Sequence, residues 1–250
     1  MADRRLRLVV AYRGTPFRGW ADNAGVMSVE STLREALEKV LGHGIALDVA
    51  GRTDAGVHAV GQVVSLTTTA ALPTASLVAA VNSLCGPDVA VQEATEAAPD
   101  FHARFSAVAR RYRYRILNRP VRDPLRHDLT WHVRQPLDLE ALRAGTAPLV
   151  GEQDFASFCR RPKLPPNAST VRRVADATWV SVVDDELQFE IEANAFCHQM
   201  VRSVVGLLVV VGTGRRPPSA VAEVLKARDR GAARADLAPP WGLTLLGVRY

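Results

Sequence analysis

The sequence predicts an α+β protein made of two similar halves, each with its own strands and helices. Over the first half, segments with period-two apolar residues alternate with amphipathic helical segments in the order β-α-β-β-α-β. The second half repeats this order loosely, without detectable sequence identity. Two sheets of this kind can join edge to edge and leave a cleft between the halves, and a ligand site is expected there.

In the first half, each element has its own sequence signal. The segment LRLVVAYRG alternates apolar and polar residues from Leu6 to Tyr12, as a half-buried strand does. Ser28 is placed to cap a helix that carries an apolar stripe, and Gly42 follows its last turn. The predicted elements are a strand at 6–14, a helix at 29–41, strands at 45–50 and 58–68, a helix at 75–84 and a strand at 89–95.

The second half follows a stretch rich in proline and arginine at 118–136, where the two halves are expected to divide. Asp138 is placed to cap a helix, and Asp184 and Asp185 predict the turn of a hairpin. The predicted elements are a strand at 110–118, a helix at 139–150, paired strands at 174–183 and 186–194, a helix at 196–211, a shorter helix starting at Pro217 and Pro218, and a strand at 242–250.

Composition limits the class of protein. The 250 residues are 48% hydrophobic, enough for a sizeable core, and the net charge is +5. Arginine supplies most of the positive charge, and its planar guanidinium suits phosphate and stacks on bases. The most apolar segment, 200–212, is shorter than the ~20 residues of a membrane span and contains Arg202. We therefore expect no membrane association, and nucleic acid is a candidate partner.

The three cysteines, Cys85, Cys159 and Cys197, are odd in number and have no CxxC spacing. This predicts neither a disulfide framework nor a zinc site. The start of the chain has too short an apolar run for a signal peptide. A reducing cytoplasm is the expected location.

The stretch AGRTDAGVHA, residues 50–59, is the first candidate site. Glycines around Asp54 are ordinary turn residues, so a simple turn is one interpretation. The setting favours a second one, because two apolar strands deliver this loop to the sheet and it holds a cation and an anion two residues apart. If extended geometry persists, Arg52 and Asp54 point the same way and can share a site.

The strand RRYRYRILN, residues 110–118, is the second candidate. It places Tyr112 and Tyr114 on one face and arginines on the other. A half-buried tyrosine and a solvated arginine face are the structural interpretation. Arginine is nevertheless dense here, and arginine clusters with interleaved aromatics suit phosphates and unpaired bases. The cluster comprises Arg104, Arg110, Arg111, Arg113, Arg115, Arg119, Arg122 and Arg126.

The helix FCHQMVRSVVGLLVVV carries a narrow polar stripe at three- and four-residue spacing on an otherwise apolar surface. A mostly buried Arg202 needs a carboxylate or phosphate partner, because an unpaired buried charge is expensive. His198 is more simply a hydrogen-bonded histidine than a metal ligand, since no second ligand pair has suitable spacing. The stripe comprises His198, Gln199, Arg202, Ser203 and Gly206.

Several motifs of other enzyme classes are missing from the sequence. It contains no P-loop, no dinucleotide-binding GxGxxG after a strand, no HExxH, no GxSxG and no zinc-deaminase signature. The glycines of GTGRRPP, residues 212–218, have the wrong spacing for a phosphate loop. Neither a nucleotide cofactor nor a metal is predicted.

Taken together, five blocks resemble the tRNA pseudouridine synthase A (TruA) family. They occur in the family's order and span nearly the whole chain, and GRTDAGVHA is too long for a chance match. The blocks are AGRTDAGVHAVGQV, FHARFSAVARRYRYRILN, DFASF, EANAFCHQMVRSVVG and the terminal GLTLLGVRY. The opening block YRGTPFRGW is also similar, although Arg13 stands where the family usually has aspartate, and Ala21, Asp22 and Asn23 replace the usual glutamines.

The resemblance implies the pseudouridine synthase fold: two similar α/β subdomains, 1–110 and 111–250, with a joined, mainly antiparallel central sheet, helices on one side and the active site in the central cleft. It implies a homodimer that uses no cofactor or metal. The implied reaction converts uridine to pseudouridine at positions 38, 39 and 40 in the anticodon stem-loop of tRNA.

The resemblance also implies roles for individual residues. Asp54 falls on the catalytic aspartate, Arg52 on the arginine that helps displace the target base, and Tyr112 on the tyrosine that stacks on uracil. Arg202 falls on the basic residue that pairs with the aspartate. In the same strand as Tyr112, we expect Arg110 and Arg111 to contribute to substrate binding.

Three functions are compared on these residues: an RNA-modifying enzyme, an RNA-binding protein without catalysis, and a carboxylate enzyme acting on another substrate. A pure binding protein has no need for a carboxylate near phosphates, which favours the first over the second. The arginine cluster and the lack of a second motif acid disfavour the third.

Overall fold

The structure is a computed structural model that describes residues 3–23, 25–160, 169–182 and 185–250. Its strands are β1 Arg4–Tyr12, β2 Asp48–Val49, β3 His58–Thr68, β4 Val89–Glu96, β5 Ala109–Asn118, β6 Trp131–Val133, β7 Gly151–Asp154, β8 Val171–Val182, β9 Glu186–Ala193 and β10 Leu243–Arg249. Its α-helices are α1 Val29–Leu41, α2 Thr74–Asn82, α3 Leu139–Thr146, α4 Met200–Gly212 and α5 Ala220–Ala227.

The chain divides into two compact units. The first comprises residues up to Val108 together with Thr244–Tyr250, and the second comprises Ala109–Leu243. The sequence places the subdomain boundary after residue 110 and the closing strand in the second subdomain. In the structure, this strand lies in the first unit because β10 pairs in parallel with β3, with Thr244 opposite His58.

In the first unit, β1 is antiparallel to both β3 and β4. The residues predicted to share one face of β1, from Leu6 to Tyr12 at every second position, are all buried. Helix α1 begins after Ser28, whose side chain accepts a hydrogen bond from the backbone of Ser31, and it ends at Gly42 with φ of 78°. The predicted bounds and caps of α1 are therefore confirmed.

In the second unit, β9 lies between β5 and β8 and is antiparallel to both. Burial alternates along β5 as predicted, with Tyr112, Tyr114 and Ile116 buried and the intervening arginines more exposed. Helix α4 is buried along most of its length and packs against α3 and α5. The predicted α+β class and the mainly antiparallel pairing are thus confirmed.

Some predicted bounds differ from the structure. Helix α3 ends at Thr146 and continues as a 3₁₀ turn at Ala147–Leu149, because Pro148 lacks the backbone donor that an α-helix needs. Helix α4 begins at Met200 rather than at 196, since Gln199 has φ of 65° and cannot continue a helix. Of the predicted hairpin turn, Asp184 lies outside the described residues, while Asp185 has φ of 59°.

The expectation that the cysteines form no disulfide is wrong. Cys159 and Cys197 are joined by a disulfide, with their Cα atoms 5.5 Å apart. Their separation of 38 residues carries no signal, because adjacency here arises from packing of the 3₁₀ turn at Ala156–Phe158 near the start of α4. Cys85 is a buried free thiol, and burial raises its pKa to about 11.

Two features are absent from the part of the chain that the structure describes. No helix there combines the length and the apolar character that crossing a membrane requires. Within the same residues, no three histidine, cysteine, aspartate or glutamate side chains are grouped as a metal ion would need.

Candidate active site

The loop between β2 and β3 carries Arg52 and Asp54 on either side of Thr53. Arg52 is exposed, Thr53 is buried with 8% of its surface accessible, and Asp54 is half-buried. This alternation is what extended backbone produces, and it supports the prediction that Arg52 and Asp54 point away from the side on which Thr53 is buried. After them, Gly56 takes φ of 80°, and the Val57 amide donates to the Asp54 carbonyl over 3.1 Å to close the turn.

The buried side of this loop is anchored by polar contacts. The hydroxyl groups of Tyr12 and Thr53 lie 2.8 Å apart, and the side-chain amide of Gln62 donates to the Gly51 carbonyl over 2.7 Å. The same Gln62 amide lies 3.3 Å from the Tyr12 hydroxyl. Burial raises the pKa of Tyr12 to about 12, so its hydroxyl stays neutral. These contacts fix the backbone on which Arg52 and Asp54 are mounted.

A second segment, residues 14–20, also packs against this loop. The Trp20 amide donates to the Thr53 carbonyl over 3.0 Å. Gly19 has φ of 100°, and a Cβ there would lie 3.0 Å from the Thr53 carbonyl oxygen. A Cβ on Gly14 would clash with the Val57 carbonyl oxygen. Both glycines are therefore required by close backbone approach, and the opening block serves to support the Asp54 loop.

In the second unit, Tyr112 lies on the buried face of β5, opposite Ile191 of β9. Only 8% of Tyr112 is accessible. The ring of Phe196 meets the Tyr112 ring edge-on, with centroids 5.0 Å apart and planes at 84°. Phe196 precedes Cys197, whose disulfide to Cys159 fixes this segment. The orientation of the Tyr112 ring is therefore set by a neighbouring aromatic ring.

Arg202 lies in the first turns of α4 and is half-buried. Its Nε donates to the Ala238 carbonyl over 2.8 Å, and the Ala238 amide donates back to the Arg202 carbonyl over 3.2 Å. Gly206, one turn later, lets this segment approach, since a Cβ there would clash with the Asp236 carbonyl oxygen. Burial raises the pKa of Tyr114 well above its usual value, and the charge of Arg202 acts in the opposite direction.

The arginine face of β5 is paired with two buried glutamates of β9. Glu190 accepts from Arg111 over 2.5 Å and from Arg113 over 2.6 and 2.8 Å. Glu186 accepts from Arg115 over 2.7 and 2.8 Å. Burial would raise the pKa of both carboxyl groups, but these arginines outweigh it and lower the pKa overall, together with Gln188 and Arg126 at Glu186. Arginines that the sequence suggests as phosphate ligands thus also hold the sheet together.

The predicted substrate-binding arginines therefore have different surroundings. Arg111 is bound to Glu190, whereas Arg110 donates from Nη1 to the Asn194 carbonyl over 2.8 Å. Arg110 lies opposite Ala193 in the β5–β9 pairing. Ala193 is the last residue of β9, and the segment that carries Phe196 follows it.

The structure thus assembles two parts of the predicted site. Arg52 and Asp54 share one loop in the first unit, whereas Tyr112 and Arg202 lie in the second. The pairing of Asp54 with Arg202 stays a prediction. Chemically, the first part offers a carboxylate and a cation on a fixed loop, and the second offers an aromatic ring and a guanidinium group.

Sequence reasoning missed the residues that hold these parts in place. Tyr12 and Gln62 support the Asp54 loop from neighbouring strands, and Phe196 supports Tyr112. Tyr12 had a usable signal, because a tyrosine on the apolar face of a buried strand needs a partner for its hydroxyl. Phe196 has no such signal. The sequence predicts it to lie in the first turn of a helix, whereas α4 begins four residues later.

Comparisons with known proteins bear on the whole chain. A family model described as tRNA pseudouridine synthase matches residues 8–106 and 146–250. The first matched stretch contains Arg52 and Asp54, and the second contains Arg202. Tyr112 lies between the two.

Curated relatives match over nearly the full length. A tRNA pseudouridine synthase A from Myxococcus xanthus is 43% identical over 246 residues, which cover 98% of this chain and 92% of that protein. One from Frankia casuarinae is 43% identical over 98% of this chain and 89% of that protein. One from Thermoanaerobacter sp. strain X514 is 38% identical over 99% of this chain and the whole of that protein.

Proposed function

The chain belongs to the tRNA pseudouridine synthase family, which isomerises uridine to pseudouridine in tRNA, and from that premise we propose how and where it acts. The proposed targets are positions 38, 39 and 40 in the anticodon stem-loop, and Asp54 is the proposed nucleophile. The proposal includes a cytoplasmic homodimer that needs neither cofactor nor metal. The observation that carries it is the Asp54 loop, in which a half-buried carboxylate and an exposed arginine are held by a buried polar network.

The reaction sets clear requirements. The N-glycosidic bond of uridine must break, the base must turn while still held, and a carbon–carbon bond must form between C5 of uracil and C1′ of ribose. A carboxylate can attack the sugar or the ring, or stabilise the cleaved sugar. Asp54 must be ionised for each of these tasks. A neighbouring cation stabilises an ionised carboxylate, and Arg202 is proposed for that role.

The target base must also leave its stack, which costs a few kcal/mol. Stacking on an aromatic ring is worth about 1 to 3 kcal/mol per base. Tyr112, held by the edge of Phe196, is the proposed stacking surface for uracil. The exposed Arg52 is proposed to occupy the space that the displaced base leaves. Arg110 and Arg111 are proposed to contact the RNA nearby.

The nucleophile is tested by Asp54→Ala. We expect this change to abolish tritium release from C5-labelled uridine in an unmodified tRNA transcript, while the Kd for the transcript stays within a few-fold. Asp22→Asn is the matched control, because Asp22 pairs with Arg34 at the surface over 2.5 Å. Full tritium release from the Asp54→Ala protein would reject Asp54 as nucleophile.

The salt dependence of binding tests whether RNA is the partner. Each phosphate that the protein neutralises contributes a slope of about −0.7 to −0.9 to the plot of log affinity against log salt concentration. We expect a steep negative slope for the transcript. A flat dependence would count against RNA as the partner.

A further inference from the structure

A turn at residues 102–106 presents a phenylalanine to solvent. Phe105 is 76% exposed, an unusual position for a large apolar side chain. Tyr12 of β1 is by contrast buried, and Phe101, just before this turn, is half-buried. An exposed aromatic ring of this size is a candidate contact for another molecule.

The turn itself is held by several hydrogen bonds. The Ser106 amide donates to the His102 carbonyl over 2.9 Å, and the His102 amide donates to the Ser106 hydroxyl over 3.0 Å. The Ala103 amide donates to the Ser65 hydroxyl over 3.0 Å, and the Tyr250 hydroxyl donates to the Ala103 carbonyl over 2.8 Å. Because the backbone is fixed on both sides, little conformational entropy is lost when the ring binds a partner.

The surroundings of the ring are cationic and aromatic. The Arg104 guanidinium carbon lies 5.5 Å from the Phe105 ring centroid, and the His102 ring centroid lies 4.4 Å away at a tilt of 47°. Close by in the same unit, the Arg7 guanidinium lies 5.8 Å from the ring centroid of Tyr250. An aromatic surface flanked by arginines suits both parts of a nucleotide. The base can stack on the ring, and the phosphate can bind a guanidinium group.

We propose that Phe105 is a stacking surface for an unpaired base of the RNA substrate, with Arg104 binding an adjacent phosphate. This turn is a different segment from the Asp54 loop, and the proposal rests on the proposed function only in that the substrate is RNA. Charge complementarity favours RNA over a second copy of the chain, since the exposed Arg104 beside the ring is positive and the chain itself has a net charge of +5.

The test uses the full-length protein and an unmodified tRNA transcript. Phe105→Ala and Phe105→Leu both remove the flat ring, and Phe105→Trp enlarges it. We expect the first two changes to weaken transcript binding by about 5- to 150-fold, the range that stacking on one base supplies. Phe105→Trp keeps the affinity within about 2-fold. Leu84→Ala, which trims another exposed apolar side chain of the same unit, is the control and leaves the Kd unchanged.

Arg104→Gln gives an independent measurement. Removing one phosphate contact lowers the salt slope of binding by about 1, whereas Phe105→Leu leaves the slope unchanged. Circular dichroism melts check that each variant is folded. Full affinity in the Phe105→Leu protein would overturn the proposal, because an aliphatic side chain would then suffice.

Three further outcomes distinguish the stacking site from a protein contact and from failure of the proposed function. If Phe105→Ala converts a dimer to a monomer in light scattering without changing RNA affinity per chain, the ring is a protein contact and the proposal is wrong. If the wild-type protein releases no tritium from labelled transcript, the proposed function fails. Tritium release by the wild type, combined with unchanged binding by Phe105→Ala, rejects only the stacking site.

Discussion

The hydroxyl group of Tyr12 lies 2.8 Å from that of Thr53, so the end of β1 is tied to the residue between Arg52 and Asp54. Both groups are buried, and Gln62 adds a second bond to the same loop through the Gly51 carbonyl. A strand that carries no proposed catalytic residue thereby determines where the proposed nucleophile is held.

Tyr12→Phe removes one side of this contact. The Thr53 hydroxyl would be left buried without that partner, so we expect a loss of about 1 to 3 kcal/mol in the free energy of unfolding. Displacement of a catalytic group by as little as 1 Å can lower rates by ~100-fold. We therefore expect kcat to fall by about 10-fold or more, measured by tritium release, with KM changed less.

Substitutions of Thr53, the other residue of this contact, test the role of its hydroxyl group. Thr53→Ser retains the hydroxyl, and Thr53→Val removes it at nearly constant volume. We expect the serine variant to be clearly more active and more stable than the valine variant. Equal activity of the two would show that the hydroxyl contact does not position the loop.

Gly19→Ala tests the close approach of the opening block to the Asp54 loop. Gly19 has φ of 100°, and its new Cβ would lie 3.0 Å from the Thr53 carbonyl oxygen. Gly25→Ala is the matched control, because Gly25 also has a positive φ, of 79°, but nothing lies within 4 Å of the added atom. A left-handed conformation costs an alanine about 1 to 2 kcal/mol at either site.

We expect Gly19→Ala to lower the free energy of unfolding by at least 1 kcal/mol more than Gly25→Ala and to lower kcat as well. Urea unfolding and tritium release measure the two effects. If both variants lose the same stability and keep the same kcat, the approach to Thr53 has no special role.

Phe196→Leu tests the support of Tyr112. The change removes the edge-on ring contact, which is worth about 0.5 to 1.5 kcal/mol beyond burial, while it keeps an apolar side chain. We expect a several-fold fall in kcat with little change in transcript Kd, because Tyr112 is proposed to act on the displaced base. Trp179→Phe, which alters a ring pair with Phe189 elsewhere in the second unit, is the control for stability alone. An equal fall in kcat for both variants would contradict the role of Phe196.

Glu190→Gln tests the charge pairs between β5 and β9. Glu190 is 9% accessible and binds both Arg111 and Arg113, so its loss leaves two arginines without their carboxylate. Because these arginines are partly exposed, we expect a loss of about 1 to 3 kcal/mol in the free energy of unfolding at pH 7. Glu140→Gln breaks an exposed pair with Arg143 and is expected to change stability by less than about 0.5 kcal/mol.

The same charge pairs predict that the stability of the protein falls in acid. The folded-state pKa of Glu186 and of Glu190 is lower than the usual 4.5, so their contribution to stability is complete above about pH 4.5. It is lost as the pH falls through the lowered values. We expect urea unfolding to show a smaller acid-induced loss for Glu190→Gln than for the wild type, and identical pH profiles would contradict this assignment.

Local sequence patterns predict most elements of the fold and the residues of the candidate site. Local signals were sufficient for α1, where the Ser28 cap, the apolar stripe and Gly42 all agree, and for β5, where burial follows a period of two. The GRTDAGVHA motif likewise singled out Asp54, because its residue types and spacing are already complete within ten positions.

Only the tertiary structure decided which distant residues support that site. The contact between Tyr12 and Thr53, the disulfide between Cys159 and Cys197, and the pairing of β10 with β3 join residues from 38 to some 186 positions apart. The physical reason is that capping and periodicity act over a few residues and leave a local record in the sequence. Contacts between distant segments arise from packing of whole elements, and a single sequence records no partner for them.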